Sequence, residues 1–246
     1  MAFDGRTDGP VLRVLREVWP DLKTDGTATR YKGVRAVPGA VDDQAGQPAQ
    51  GDYDLAAPGT SLPTYLELID GTTRWLAALA AGILIVADTG QADRFGDALY
   101  VQTDPGGAPS LADAFVVAAG TPAVLVMNAH HNSGEGFADY ALIGLVEGRL
   151  RPLFDGPGLY SSFSGDERCD ERSALQELKT FRPLGTQRDG YVDLALEIVE
   201  TRECRKGGKV VQASSLRASA VLTWDANEKR YKGDLKSLDR LSKRPR

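Results

Sequence analysis

His130 and His131 stand side by side, and the chain of 246 residues has no other histidine. A neutral imidazole is a good general base and metal ligand near neutral pH. Any histidine-dependent chemistry must therefore run through His130-His131-Asn132-Ser133-Gly134-Glu135-Gly136, where Glu135 is close enough in sequence to orient a ring or add a carboxylate. His130, His131, Asn132 and Glu135 form a candidate loop site for a hydrolase or a metal-dependent enzyme. Against it, neighbours in an extended chain face opposite ways, so one metal would not take both rings. A plain polar hairpin loop between two strands explains the same residues.

Other polar clusters offer weaker chemistry. Tyr160-Ser161-Ser162-Phe163-Ser164-Gly165 supplies hydroxyls, but no Gly-x-Ser-x-Gly elbow presents one as a nucleophile, and the segment reads as a turn. Asp166, Glu167, Asp170 and Glu171 interleave with Arg168 and Arg172, charges that neutralise one another on a solvated face. Asp88, Asp93 and Asp97 resemble an oxygen-rich calcium loop only loosely, since their spacing is not that of an EF-hand and Asp commonly forms turns. The chain lacks a phosphate-cradling loop, a dinucleotide fingerprint, His-Glu-x-x-His and Cys-x-x-Cys. No catalytic residue is assigned, and neither a metal nor a cofactor is expected. Paired-carboxylate catalysis needs two acids that only the fold brings together.

The two cysteines, Cys169 and Cys204, lie in charged sequence that looks exposed, where idle thiols are uncommon. A disulfide between them would close a loop of 35 residues, stabilising the fold by about 3 to 4 kcal/mol on the chain-entropy model. Disulfides persist in oxidising compartments, so a periplasmic or secreted location is expected, with a cytoplasmic one as the alternative. The start Met1-Ala2-Phe3-Asp4-Gly5 is polar almost at once and does not read as a signal peptide, which implies either a cytoplasmic chain or a processed one.

The elements that must position these groups are mostly strands. Hydrophobic residues make up 42% of the chain, and 27 Gly with 13 Pro disfavour long helical bundles. The expected fold class is mainly β, with antiparallel sheets in a sandwich or a barrel- or propeller-like arrangement and one or two short helices. A single domain over 1–246 is expected, with an N-terminal helix and lead-in (1–37), a flexible loop (38–63), a β-rich framework (64–235) and a basic tail (236–246). Val11, Leu12, Val14, Leu15 and Val18 recur at helical spacing behind Pro10. Asp70-Gly71 marks a two-residue hairpin, Trp75–Ala81 is ambiguous between helix and strand, and Ile83–Val86 reads as a buried strand. Leu175–Phe181 is either a helical turn or a strand. Turns at Asp70, Glu147 and Asp225, 77 and 78 residues apart, suggest an internal repeat or simply three hairpins of an all-β chain.

The net charge is −5. Residues 229–246 hold eight Lys or Arg against Asp234 and Asp239, or +6, which leaves −11 upstream. That acidic body opposes a long polyanion, so no nucleic acid is expected and the tail reads as a solvated terminus. The longest apolar run, Trp75–Ala87, has 13 residues, short of the ~18 that a spanning helix needs. The function expected from all this is that of an extracytoplasmic β-rich binding or interaction protein, whose partner is another envelope or extracellular protein.

Overall fold

The computed structural model describes residues 9–36, 53–54, 64–90, 95–103 and 107–242. Most of the expected 38–63 loop and Asp93 lie outside the described residues. Two compact units emerge. Unit 1 comprises residues 1–128 and 141–153, and unit 2 comprises 129–140 and 154–246.

In unit 1 the expected N-terminal helix is α1 (Pro10–Arg16), with Pro10 in its first turn where a missing N–H costs nothing. Short strands β1 (Thr27–Ala28) and β3 (Tyr53–Asp54) pair with each other. A five-stranded sheet runs in the order β2 (Arg35–Ala36), β7 (Phe95–Tyr100), β6 (Ile83–Asp88), β5 (Thr73–Ala80), β4 (Thr64–Asp70), antiparallel except for β2 with β7. The ambiguous Trp75–Ala81 run is strand. Alternation explains its composition, because both faces of β5 and β6 are covered. Leu76, Ala78, Ile83 and Ile85 pack with Leu12, Leu15 and Trp19. Ala77, Leu79, Leu84 and Val86 pack with Val124, Val126, Ile143, Leu145 and Leu150. Those last residues belong to β9 (Thr121–Asn132), β10 (Glu135–Val146) and β11 (Arg149–Asp155), which with β8 (Ala108–Ala118) complete the strands contributing to unit 1. A strand buried on two faces loses the polar half of its pattern and looks like a helix.

Asp88 and Asp97 are structural. The Asp88 carboxylate accepts the Gly90 N–H at 2.9 Å, and Asp97 accepts the Leu150 N–H at 2.7 Å and pairs with Arg35.

In unit 2 the strand order runs from residues 129–140 of β9 and β10 through β12 (Leu159–Ser164), β13 (Glu171–Arg188), β14 (Tyr191–Lys206) and β15 (Lys209–Asp225) to β16 (Arg230–Lys232). Leu194, Leu196, Ile198, Leu222, Trp224 and Tyr231 are buried, with Trp224 stacked on Tyr191 at 3.7 Å. Helix α2 (Lys236–Ser242) buries Leu238 and Leu241.

The fold class is as expected, mainly antiparallel β, and among the described residues there are two short helices and no sheet closes into a barrel. Three expectations change, and one open alternative is resolved. Tyr160–Ser164 is strand β12 and not a turn, because it is held between β10 and β13. Leu175–Phe181 is strand, within β13. The Asp70 hairpin turns on Gly71-Thr72, one residue later than expected, with Gly71 at φ +58°. The tail is helical over Lys236–Ser242, where Leu238 and Leu241 give it an apolar side to bury; residues 243–246 lie outside the described ones. The Glu147 hairpin has a two-residue turn and the Asp225 hairpin a four-residue one, so these two of the three hairpins spaced by 77 and 78 residues share no common turn length. No described helix is long and apolar enough to cross a membrane.

Gly96 packs against the Val86 carbonyl so closely that a Cβ has no room. Gly96→Ala is expected to cost about 1 to 3 kcal/mol, read as a lower urea midpoint. Gly185→Ala, where nothing lies within 4 Å of an added Cβ, should leave the midpoint unchanged or slightly raised.

Candidate functional site

The four residues of the candidate histidine loop sit on strand ends and not in a loop. His130, His131 and Asn132 close β9, Glu135 opens β10, and only Ser133-Gly134 turns between them. Strand alternation then separates the group. His130 Nε2 bonds Asn132 Oδ1 at 2.8 Å, the spacing of two residues on one face. Glu135 accepts a bond from the Tyr160 hydroxyl at 2.6 Å. His131 turns the other way, beside Gly136 and Ser161 and 6.4 Å from the Phe163 ring. No cluster of three metal-ligating side chains occurs among the described residues.

A different site appears where β12, β13, β14 and β15 lie side by side. The strand register aligns Ser162, Ala174, Arg202 and Ser214 in one cross-strand row, and Ser164, Arg172, Cys204 and Gln212 in the next. Residues two apart share a face, so both rows floor the same groove. Its volume is about 590 Å³, and Arg168 and Cys169 from the connection between β12 and β13, with Ser173 and Glu203, complete its lining.

The even-numbered residues of β14 show how this face is divided. Leu194, Leu196 and Ile198 are buried, Glu200 is 3% exposed, and Arg202 and Cys204 follow. Glu200 stands where apolar core gives way to polar groove. A carboxylate that deep must be fully bonded. Arg202 Nε donates to Glu200 Oε1 at 2.5 Å and Gln176 Nε2 to Glu200 Oε2 at 2.8 Å. The Gln176 amide also reaches the Leu241 carbonyl of α2, and its oxygen accepts the Tyr160 N–H at 3.0 Å. Arg202 is thus held by Nε, and its two terminal nitrogens bond no protein group among the described residues.

The opposite wall is the segment 165–170. Asp166 Oδ1 accepts the backbone N–H of Arg168 at 2.8 Å and of Cys169 at 2.9 Å, and Asp166 Oδ2 accepts Arg172 Nη2 at 2.9 Å. The Cys169 and Arg168 amides, and then the Arg172 and Arg168 charges, hold the Asp166 carboxyl below its ordinary value of 3.8. Three ties bind this wall to the end of the β14–β15 hairpin. Cys169 and Cys204 are at disulfide distance with Cα atoms 5.4 Å apart. Asp170 accepts the Gly207 N–H at 2.6 Å, and Lys206 Nζ reaches the Glu167 carbonyl at 3.3 Å. Cys169, expected to be exposed, is 3% exposed because the wall folds over it. The Arg168 side chain makes no hydrogen bond or ion pair among the described residues.

Three guanidiniums over a floor of serines and glutamine present hydrogen-bond donors of the kind that anions accept. Each guanidinium carries five N–H donors, and here Arg202 spends one on Glu200, Arg172 spends Nη2 on Asp166, and Arg168 spends none. Arg168 and Arg172 were expected to be neutralised by the neighbouring acids. Only Asp166 faces them with an ion pair, to Arg172, while Asp170 turns to the Gly207 amide. The signal lay in the cysteines: once Cys169 is joined to Cys204, the arginines one residue before the first and two before the second must meet.

Comparison with known protein families, curated proteins and solved structures finds no match to this chain.

Replacing both cysteines with Ser is expected to lower unfolding stability by roughly 2 to 4 kcal/mol for a loop of this length, measured by denaturant titration without reductant. Asp166, with its folded pKa depressed, contributes stability that is complete above 3.8 and is lost as the pH falls through its lower folded value. Asp166→Asn should therefore flatten the acid limb of the stability–pH curve, as seen in unfolding measured stepwise below pH 3.8.

Proposed function

We propose that the chain is a non-catalytic binding protein of a compartment outside the cytoplasm. On this reading the groove of unit 2 takes an extended acidic segment of an envelope or extracellular protein. The observation that carries it is the set of three guanidiniums, Arg168, Arg172 and Arg202, with spare donors above a serine-rich floor. Arg172 and Arg202 are diagonal neighbours on adjacent strands, about 7 to 8 Å apart at Cα. Carboxylates on alternate residues of an extended chain repeat at about 6.6 Å, so two acids of one segment meet two guanidiniums. The pairing of Cys169 with Cys204 supports an oxidising compartment. The acidic remainder of the chain disfavours a long nucleic acid as the ligand.

A peptide of alternating Glu and Ser is expected to bind the full chain, with affinity falling as salt rises. Losing a charged hydrogen bond costs about 1.5 to 3 kcal/mol, so Arg202→Gln and Arg168→Gln should each weaken binding about ten- to a hundredfold by calorimetry. The Gln-for-Glu peptide should not bind. No binding of the acidic peptide, or equal binding of single-stranded DNA, would overturn the reading.

A second reading, hydrolysis with Ser161 as nucleophile and His131 as base, has one observation in its favour. Ser161 Oγ and His131 Nδ1 lie 2.5 and 2.7 Å from where a Gly136 Cβ would stand. Ester turnover abolished by both Ser161→Ala and His131→Ala would favour it over binding alone.

A further inference from the structure

Strand β15 is exposed on both faces along Lys209–Arg217. Among the described residues its only strand partner there is β14, since β16 pairs with it solely at Thr223–Asp225. Val210, Val211 and Leu216 stand 47%, 59% and 51% exposed on this edge. Further along, the edge is occupied: Ser237 Oγ donates to the Ser219 carbonyl at 2.9 Å, and Gly233 lies against the Val221 carbonyl. What remains open, among the described residues, is a stretch of backbone groups without a second strand partner and with apolar side chains, free of Pro and Gly, of the kind that draws in another strand.

We propose that this edge pairs with the same edge of a second copy of the chain, giving a two-fold dimer. Charge and register favour a copy over a foreign strand. Val210–Leu216 holds no charged residue. Of the cations that flank it, Arg217 is answered by Glu197 at 3.3 Å and Arg205 by Glu203 at 3.1 Å, and Lys209 lies at the end of the open stretch. The edge therefore suits a neutral, small and apolar strand, which is what its own sequence supplies.

The register follows from three constraints. Ser219 turns its carbonyl out of the edge, so by alternation Ala213, Ser215 and Arg217 also turn their N–H and C=O outward. Antiparallel bonding joins outward residue to outward residue, and a two-fold axis through Ser214 does this by pairing Ala213 with Ser215 of the copy and placing Gln212 beside Leu216. Moving the axis to Ala213 would set Lys209 against Arg217, like charges directly opposed. Moving it to Ser215 would shorten the ladder, because Val211 and no longer Lys209 would then stand against Ser219, whose carbonyl is already taken. Gln212 and Ser214 also line the groove, so the axis brings two grooves together. Their Arg202 residues sit three strand spacings apart, about 14 Å.

Sedimentation equilibrium of the full chain should show a concentration-dependent species of twice 26.4 kDa. Val211→Lys with Leu216→Lys changes exposed side chains only, so thermal unfolding checks that the variant folds, and like-charge repulsion should weaken its association on the order of a hundredfold. Val221→Lys, outside the open edge, should associate as the unaltered chain does. Under oxidation Ser214→Cys should give a covalent dimer, because non-hydrogen-bonded partners lie about 4.5 Å apart at Cα, and Val210→Cys should not. A chain that stays monomeric throughout the micromolar range, or a double-lysine variant that dimerises undiminished, overturns the proposal and leaves the edge to a strand of another protein. Peptide binding by the monomeric variant reports on the groove separately.

Discussion

The register of β13 with β14 and of β14 with β15 is the constraint on which the rest of unit 2 depends. It sets which residues share a row, and with a side-chain period of two it sets which face each row occupies. A slip of one residue along β14 would carry Arg202 and Cys204 to the far face and set Glu203 in their rows. The register is fixed at its inner end by burial of Leu194, Leu196 and Ile198, where a slip would expose apolar area. At its outer end the buried apolar side chains are small, Ala174 and Cys169, and Cys169–Cys204 with the Asp170–Gly207 bond holds the alignment. Two kinds of force therefore hold the same ladder.

Glu200 is the hinge between these regimes. An ionised carboxylate removed from water is costly unless every lone pair finds a donor, and Arg202, Gln176 and the α2 carbonyl bonded to Gln176 form a closed set around it. The burial that makes Glu200 expensive also immobilises Arg202 through Nε, leaving its other donors aimed at the groove. Arg172 is oriented in the same manner by Asp166, which is itself fixed by two backbone amides. On the binding reading, much of the ordering that a ligand would otherwise impose is already present in the folded chain.

The parts legible in the sequence were those governed by local pattern. Pro10 with the apolar spacing of α1 and the Ile83–Val86 strand each carry their own signal. Trp75–Ala81 did not, because covering β5 on both faces erases the period that would identify it. Tyr160–Ser164 read as a turn because its serines have low strand preference, and pairing with β10 and β13 overrides that preference. The tail read as a solvated charge run because Leu238 and Leu241 are too few to show a face until β15 and Gln176 are beside them. The arginine groove was hidden for a related reason: Arg168 and Arg202 are far apart in sequence, and opposite charges next to each other in the chain need not be neighbours in space.

The charge distribution bears on what length of ligand the groove could take. Upstream of residue 229 the chain carries −11, yet the groove lining holds three guanidiniums and one carboxylate, that of Glu203, which Arg205 engages. Charges separated by more than about 8 Å are largely screened at physiological salt. A short acidic segment seated among Arg168, Arg172 and Arg202 therefore feels the guanidiniums at contact distance and little of the acidic body. A long polyanion cannot confine itself to the groove, and each additional charge it lays on the remaining surface meets repulsion. Local cations within an acidic protein thus select for length as well as sign, and the open edge of β15 would double the local cations without relieving that restriction, since each copy brings its own acidic body.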